Sequence, residues 1–317
     1  MWCLCGYWSD RDDPGRSNPL GGGHQRLLIR LSLQSWRGLE VLVTDWPQDY
    51  SSAWTLAAET SRSGVGLHSG AEATVELRPT DQPGFYMCLP GMEQPIQLRP
   101  DQVRDSQLCT TLDLGSSKVA TVEHLLAALA GSGLSHVEIG LNGHEVPLLD
   151  GSALVWVEAI ASAGLVPAAT PRLAAPRLEQ PLMRTRGNSV ITATPSDRFG
   201  VVGIIDFPQA AIGRQQFALE LTPQRFVDEI APARTFGFRE QIEQLRAAGL
   251  IQGGALDNAL VCDGDQWMNP PLRFEDEPVR HKLLDLIGDL ALVGFPQAQV
   301  LVYKGSHGLH TDLAAAL

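Results

Sequence analysis

Regular alternation of apolar and polar positions begins well inside this chain. "ATVELRP" alternates Ala73, Val75 and Leu77 with Thr74, Glu76 and Arg78, the period-two pattern of a half-buried strand. "HVEIGL" (136–141) alternates in the same way. Between them, "TVEHLLAALAGSG" (121–133) changes to a helical run, with Thr121 placed to cap its start and Gly131 or Gly133 to stop it. "SALVWVEAIASAG" (152–164) predicts a second helix. The order of strands then helices returns further on: strands near 189–194 and 200–207, helices near 224–231 and 278–293, and a last strand in "AQVLVYK". Pro167, Pro171, Pro176 and Pro181 separate the two series. Proline fixes φ and lacks an N–H donor, so repeated prolines exclude both helix and central strand. The pattern therefore predicts a first domain at 51–166, a proline-rich linker at 167–181 and a second domain at 182–317.

Ahead of about Trp54 neither period is sustained, although five of the seven tryptophans lie in the first 54 residues. Residues 1–50 are expected to be poorly ordered and dispensable, as an over-extended start site would make them. The alternative is an appendage that docks on a partner or a membrane through Trp2, Trp8 and Trp36. Asp10, Asp12 and Asp13 argue against an organellar transit peptide.

Composition narrows the class. With 317 residues, 44% apolar and 19% charged, the chain reads as a globular protein of two domains. A net charge of −12 speaks against a nucleic-acid partner, which would call for a basic stripe. No apolar run reaches the roughly 20 residues needed to span a bilayer. Five cysteines without a C-x-x-C framework suit a reducing compartment, so a cytoplasmic location is expected.

Candidate chemistry interrupts two of the apolar helices. In "FEDEPVRHKLLDLIGDLALVG", His281, Asp285 and Asp289 recur every four residues and so share one helical face. A hydrogen-bonded helical pair would explain some of this. Yet an unpartnered buried carboxylate costs several kcal/mol, and "TVEHLLAALA" carries Glu123 and His124 into an equally apolar helix. A divalent cation reconciles these residues. Zinc takes imidazole nitrogen and carboxylate oxygen, and catalytic sites use three protein ligands. His281 and Asp285 offer two from one helix, and His124 is available as the third. Glu123, about 100° around the helix from its neighbour, is better placed as a general base than as a fourth ligand. "YKGSHGLH" adds His307 as a candidate acid and Lys304 as a contact for anionic groups, the alternative being a surface histidine.

"GVGLHSG", "TVEHLLAALAGSG", "PLLDGSA", "ARTFGF", "FEDEPVRHKLLDLIGDL" and "KGSHGLHTDL" occur in an order that resembles the UDP-3-O-acyl-N-acetylglucosamine deacetylases of lipid A biosynthesis, from about Trp54 to the C-terminus. The resemblance implies a zinc-dependent amidase with one Zn2+ per chain. It implies an α+β fold of two similar domains, each a sheet with a helix pair, the helices packed between the sheets and the active site at the domain junction. It places the metal on His124, His281 and Asp285, the general base at Glu123 and the acid at His307. Asp289 would orient that histidine, and Thr235 would stabilise an oxyanion. Lys282, Lys304, Phe207 and Phe236 would contact the substrate. An insert at about 238–261 would form an apolar acyl passage shaped by Ile242, Gly254, Ala255 and Val261. Cys109 matches a cysteine near the site. The implied partner is an acylated UDP-sugar, met by a monomer with at most peripheral contact with the inner membrane. The alternatives are a zinc amidase acting on another acylated sugar, or a non-catalytic binder of lipid or sugar nucleotide.

Overall fold

The computed structural model describes residues 45–104, 108–115 and 117–317. The expectation for residues 1–50 lies outside the described residues as far as 44. From there on, Trp46 and Tyr50 pack against the core, and the Tyr50 hydroxyl donates to the Gly131 carbonyl at 2.9 Å. The folded body thus reaches back at least to Trp46.

The fold is α+β, with six helices among the described residues: α1 (Glu123–Gly131), α2 (Leu154–Ala163), α3 (Pro223–Glu229), α4 (Arg239–Ala247), α5 (Glu277–Leu290) and α6 (His307–Ala314). In the first half, the strand His136–Leu141 is central to a seven-stranded sheet. It runs antiparallel to Glu72–Pro79, in the register Val75 to Leu141 and Leu77 to Ile139. It runs parallel to Gly84–Cys88. The alternation seen in the sequence has its physical cause here, since Val75, Leu77, Val137 and Ile139 are buried in one apolar cluster with Leu125, Leu129, Trp156 and Ile160 of α1 and α2. In the second half, five strands follow the order Leu182–Arg186, Ser189–Pro195, Ala298–Tyr303, Gly200–Asp206 and Arg214–Glu220. Here α5 packs on the last two strands and α6 on the first two. Between Pro167 and Leu182 the chain makes a single isolated bridge, Arg177 with Gln297.

The halves meet through α1 and α5, and one apolar cluster runs from Leu56 to Ala314. Here α1 packs against α2, α3 and α5, and α5 against α1, α6 and the second sheet, so both are buried nearly all round. That geometry explains how Glu123, His124, His281, Asp285 and Asp289 come to be buried. The approach is close. A Cβ on Gly288 would overlap the Glu123 carbonyl, so only glycine lets α5 lie this near α1.

One expectation is corrected. Thr121 does not cap α1, which starts at Glu123 after Val122. Its hydroxyl instead donates to Glu145 at 2.9 Å. His307 opens α6, where the Ser306 side chain caps the Leu309 N–H.

Candidate active site

Three buried donors converge between α1 and α5. Asp285 Oδ1 lies 3.6 Å from His124 Nε2 and 3.4 Å from His281 Nε2. The imidazoles meet edge to face with centroids 4.9 Å apart. His281 Nδ1 is engaged by the Ala233 carbonyl at 3.1 Å, which leaves Nε2 for a ligand. Burial pushes the His281 pKa down to about 3 against the pull of Asp285, so the ring is neutral as metal ligation requires. Burial would raise Asp285, but the Lys282 ammonium holds it well below the usual carboxylate range. Lys282 Nζ bonds its other oxygen at 2.9 Å. Two imidazoles and an ionised carboxylate, all ligand atoms within 4.8 Å of one another, fit a divalent cation.

Glu123 stands beside this set. Its Oε2 accepts from the Thr110 N–H at 3.0 Å. Burial lifts its pKa above the usual range, against the nearby His307 and His124. Its Oε1 is 3.9 Å from His307 Nε2. His307 Nδ1 in turn bonds Asp289 Oδ2 at 3.0 Å. Burial works against a charged His307, but the Asp289 carboxylate and then Glu123 raise it to about 9. A carboxyl group lifted by burial and an imidazole lifted by its carboxylate partner therefore face one another across a short gap. A cleft of about 210 Å³ reaches His307 and Thr110 and is also lined by Cys109, Arg186 and Thr311. Cys109 itself is 4% exposed, and burial followed by Glu123 raises its thiol to about 11, so it stays protonated.

What aligns α5 is a buried ion pair. Glu277, fully buried, accepts from Arg234 Nε at 2.8 Å, from the Arg234 backbone at 3.0 Å and from the Arg273 backbone at 2.6 Å. This fastens "ARTFGF" to the start of α5 and sets Ala233 against His281.

An aromatic cluster adjoins the site. Phe236 lies 6.4 Å from His281 between ring centroids and 5.6 Å from Phe207, which also meets Phe238. Lys282 Nζ is 5.6 Å from the Phe236 ring. Lys304 pairs with Asp206 at 3.1 Å, beside Phe207 in sequence. Thr235 is held by backbone bonds to Gly151 and Leu260, and its side chain bonds none of the metal-site residues. Along the 238–261 segment, Ile242 and Gly254 are half-buried, Val261 is buried and Ala255 is exposed. Gln252 and Gly253 donate to the His68 and Leu67 carbonyls at 3.2 and 3.0 Å. Glu145 folds that "GVGLHSG" loop by accepting from the His68 and Ser69 N–H groups. None of these insert residues bonds a member of the metal-site set.

A sequence reading does not find Thr110, His310, Glu145 or Glu277. The only local signal for any of them is the spacing of three between His307 and His310, one turn of a helix.

A His–His–Asp set flanked by a buried carboxylate and a histidine–aspartate pair is the equipment of a metal-dependent hydrolase. Known proteins agree with that class. The profile of the UDP-3-O-acyl N-acetylglycosamine deacetylase family matches residues 53–317, and the chain belongs to this family. The UDP-3-O-acyl-N-acetylglucosamine deacetylase of Thermosynechococcus vestitus is 49% identical over 269 residues, 83% of this chain and 93% of its own length. The deacetylase of the same name from Nostoc sp. is 47% identical over 268 residues, covering 82% and 96%. That of Oleidesulfovibrio alaskensis is 42% identical over 253 residues, covering 78% and 83%.

Proposed function

We propose that this chain is a zinc-dependent hydrolase that removes the N-acetyl group from UDP-3-O-acyl-N-acetylglucosamine, giving UDP-3-O-acyl-glucosamine and acetate for lipid A biosynthesis. His124, His281 and Asp285 would hold one zinc ion per chain. When bound, the ion supplies a Lewis acid that polarises the amide carbonyl and acidifies water. Glu123 accepts a proton from the attacking water, and its raised pKa suits that role. The Thr235 hydroxyl, two residues beyond the backbone partner of His281, donates to the developing oxyanion. His307, kept protonated by Asp289, gives a proton to the leaving amine as the C–N bond breaks. Lys282 and Lys304 serve the diphosphate, with Phe207 and Phe236 as apolar walls. Ile242, Gly254, Ala255 and Val261 shape the path of the acyl chain.

The observation that carries this reading is the pair of Nε2 atoms turned to a single Asp285 oxygen, with Glu123 and His307 face to face beside them. A monomer in the cytoplasm with at most peripheral membrane contact completes the proposal. The sparse cysteines suit a reducing compartment, and the described residues include no helix long and apolar enough to cross a membrane. Purified protein should contain zinc and release acetate from UDP-3-O-acyl-N-acetylglucosamine. Zinc-loaded protein that releases acetate only from a different acylated sugar would overturn the substrate.

A further inference from the structure

Asp289 is fully buried, and three donors from two directions fix its carboxylate. Oδ1 accepts from the Thr110 hydroxyl at 2.5 Å. Oδ2 accepts from His307 Nδ1 at 3.0 Å and from His310 Nδ1 at 2.9 Å. His310 is 1% exposed, so solvent does not compete for that bond. Its Nε2 makes no hydrogen bond, so Nδ1 is the nitrogen through which the ring donates to Asp289. A Cβ on Gly305 would overlap this Nε2, so the absence of a side chain there is what admits a second imidazole.

A carboxylate held by one donor can turn about its terminal torsion, which is broad and soft. One held by three cannot turn without leaving a buried donor unpaired, at a cost of about 1–3 kcal/mol. We propose that His310 is a positioning residue for the reaction. With Thr110 it locks the plane of Asp289, so that Oδ2 keeps the His307 ring upright and its Nε2 aimed past Glu123 at the leaving nitrogen. His307 and His310 stand one turn apart on α6, so the helix presents both rings to the same oxygen. Thr110 joins the two halves of the proton path. Its N–H holds Glu123 while its hydroxyl holds Asp289.

This inference rests on the reading of His307 as the acid, and the test separates the two. Zinc content, kcat and KM for acetate release are measured for His310→Leu, His310→Asn and His307→Ala. The Asn side chain can donate from close to the position of Nδ1, whereas Leu cannot. His310→Leu should keep its zinc and its KM while kcat falls roughly tenfold or more, part of the ~10²–10⁴ that a positioned acid contributes. His310→Asn should recover most of that loss. Equal losses in Leu and Asn, or an unchanged kcat in Leu, would overturn the proposal while the acid role of His307 stood. Full turnover in His307→Ala would remove the acid role and this inference together. If His310→Leu does not fold, Thr110→Val against Thr110→Ser makes the same comparison at the other oxygen, and equal kcat in that pair would overturn it.

Discussion

Gly288 and Glu123 touch backbone to backbone: a side chain on the glycine would occupy the space of the Glu123 carbonyl. This contact sets the spacing of α1 and α5, and hence the distance from His124 to His281 and Asp285. Gly288→Ala should therefore weaken zinc binding and activity together, beyond the ~1–3 kcal/mol that overpacking costs in stability. Zinc titration of the variant checks this. Normal zinc affinity with normal turnover would show that the helices do not need so close an approach.

The ligand set makes a separable prediction. His281→Ala removes one Nε2, and zinc content and acetate release should fall in parallel. Elemental analysis of the purified variant decides it. Full occupancy would take His281 out of the set.

Glu277 is predicted to matter without touching the chemistry. Glu277→Ala leaves Arg234 without its partner, and breaking a buried pair of this kind costs about 3–5 kcal/mol. Denaturant unfolding should show that loss. A change under about 1 kcal/mol would place the pair with ordinary surface bridges.

His307 sets the alkaline side of the pH profile. Its folded pKa of about 9 lies above its ordinary value, so the protonated acid persists below that point and is lost as pH rises through it. The stabilisation from its pairing with Asp289 follows the same sign, fully present below about 6.5 and lost on rising through about 9. The profile of kcat should show a descending limb near 9 that Asp289→Asn moves downward. A limb near 6.5 in the unaltered enzyme would contradict the pairing.

Acyl-chain preference should lie in the insert. Gly254 is half-buried, and a side chain there would meet Leu67 and the Ile251 carbonyl. Gly254→Leu should impair a long-chain substrate more than a truncated one. Equal losses on both would indicate a general packing defect.

Much of this site was legible in the sequence because helical spacing and burial make simple demands. Three polar residues at spacing four in an apolar helix must find partners, and α5 turns that row to α1 and α6. Other parts needed the third dimension. Thr110 sits 13 residues before Glu123 and 179 before Asp289, and no local period marks its place between them. His310 lies beyond Lys304, whose positive φ turns the chain out of the last strand before α6 begins. Thr121 looked like a helix cap on local chemistry, yet its hydroxyl was drawn to Glu145, 24 residues away. The α+β order itself was visible in the change of period, whereas the strand order was not.

The central claim is that Glu123 does chemistry beside a metal it does not hold. It is tested most directly by measuring zinc content and acetate release on one sample of Glu123→Ala. The account predicts full zinc with turnover lowered by ~10²–10⁴. Near-normal turnover, or zinc lost along with activity, would contradict it.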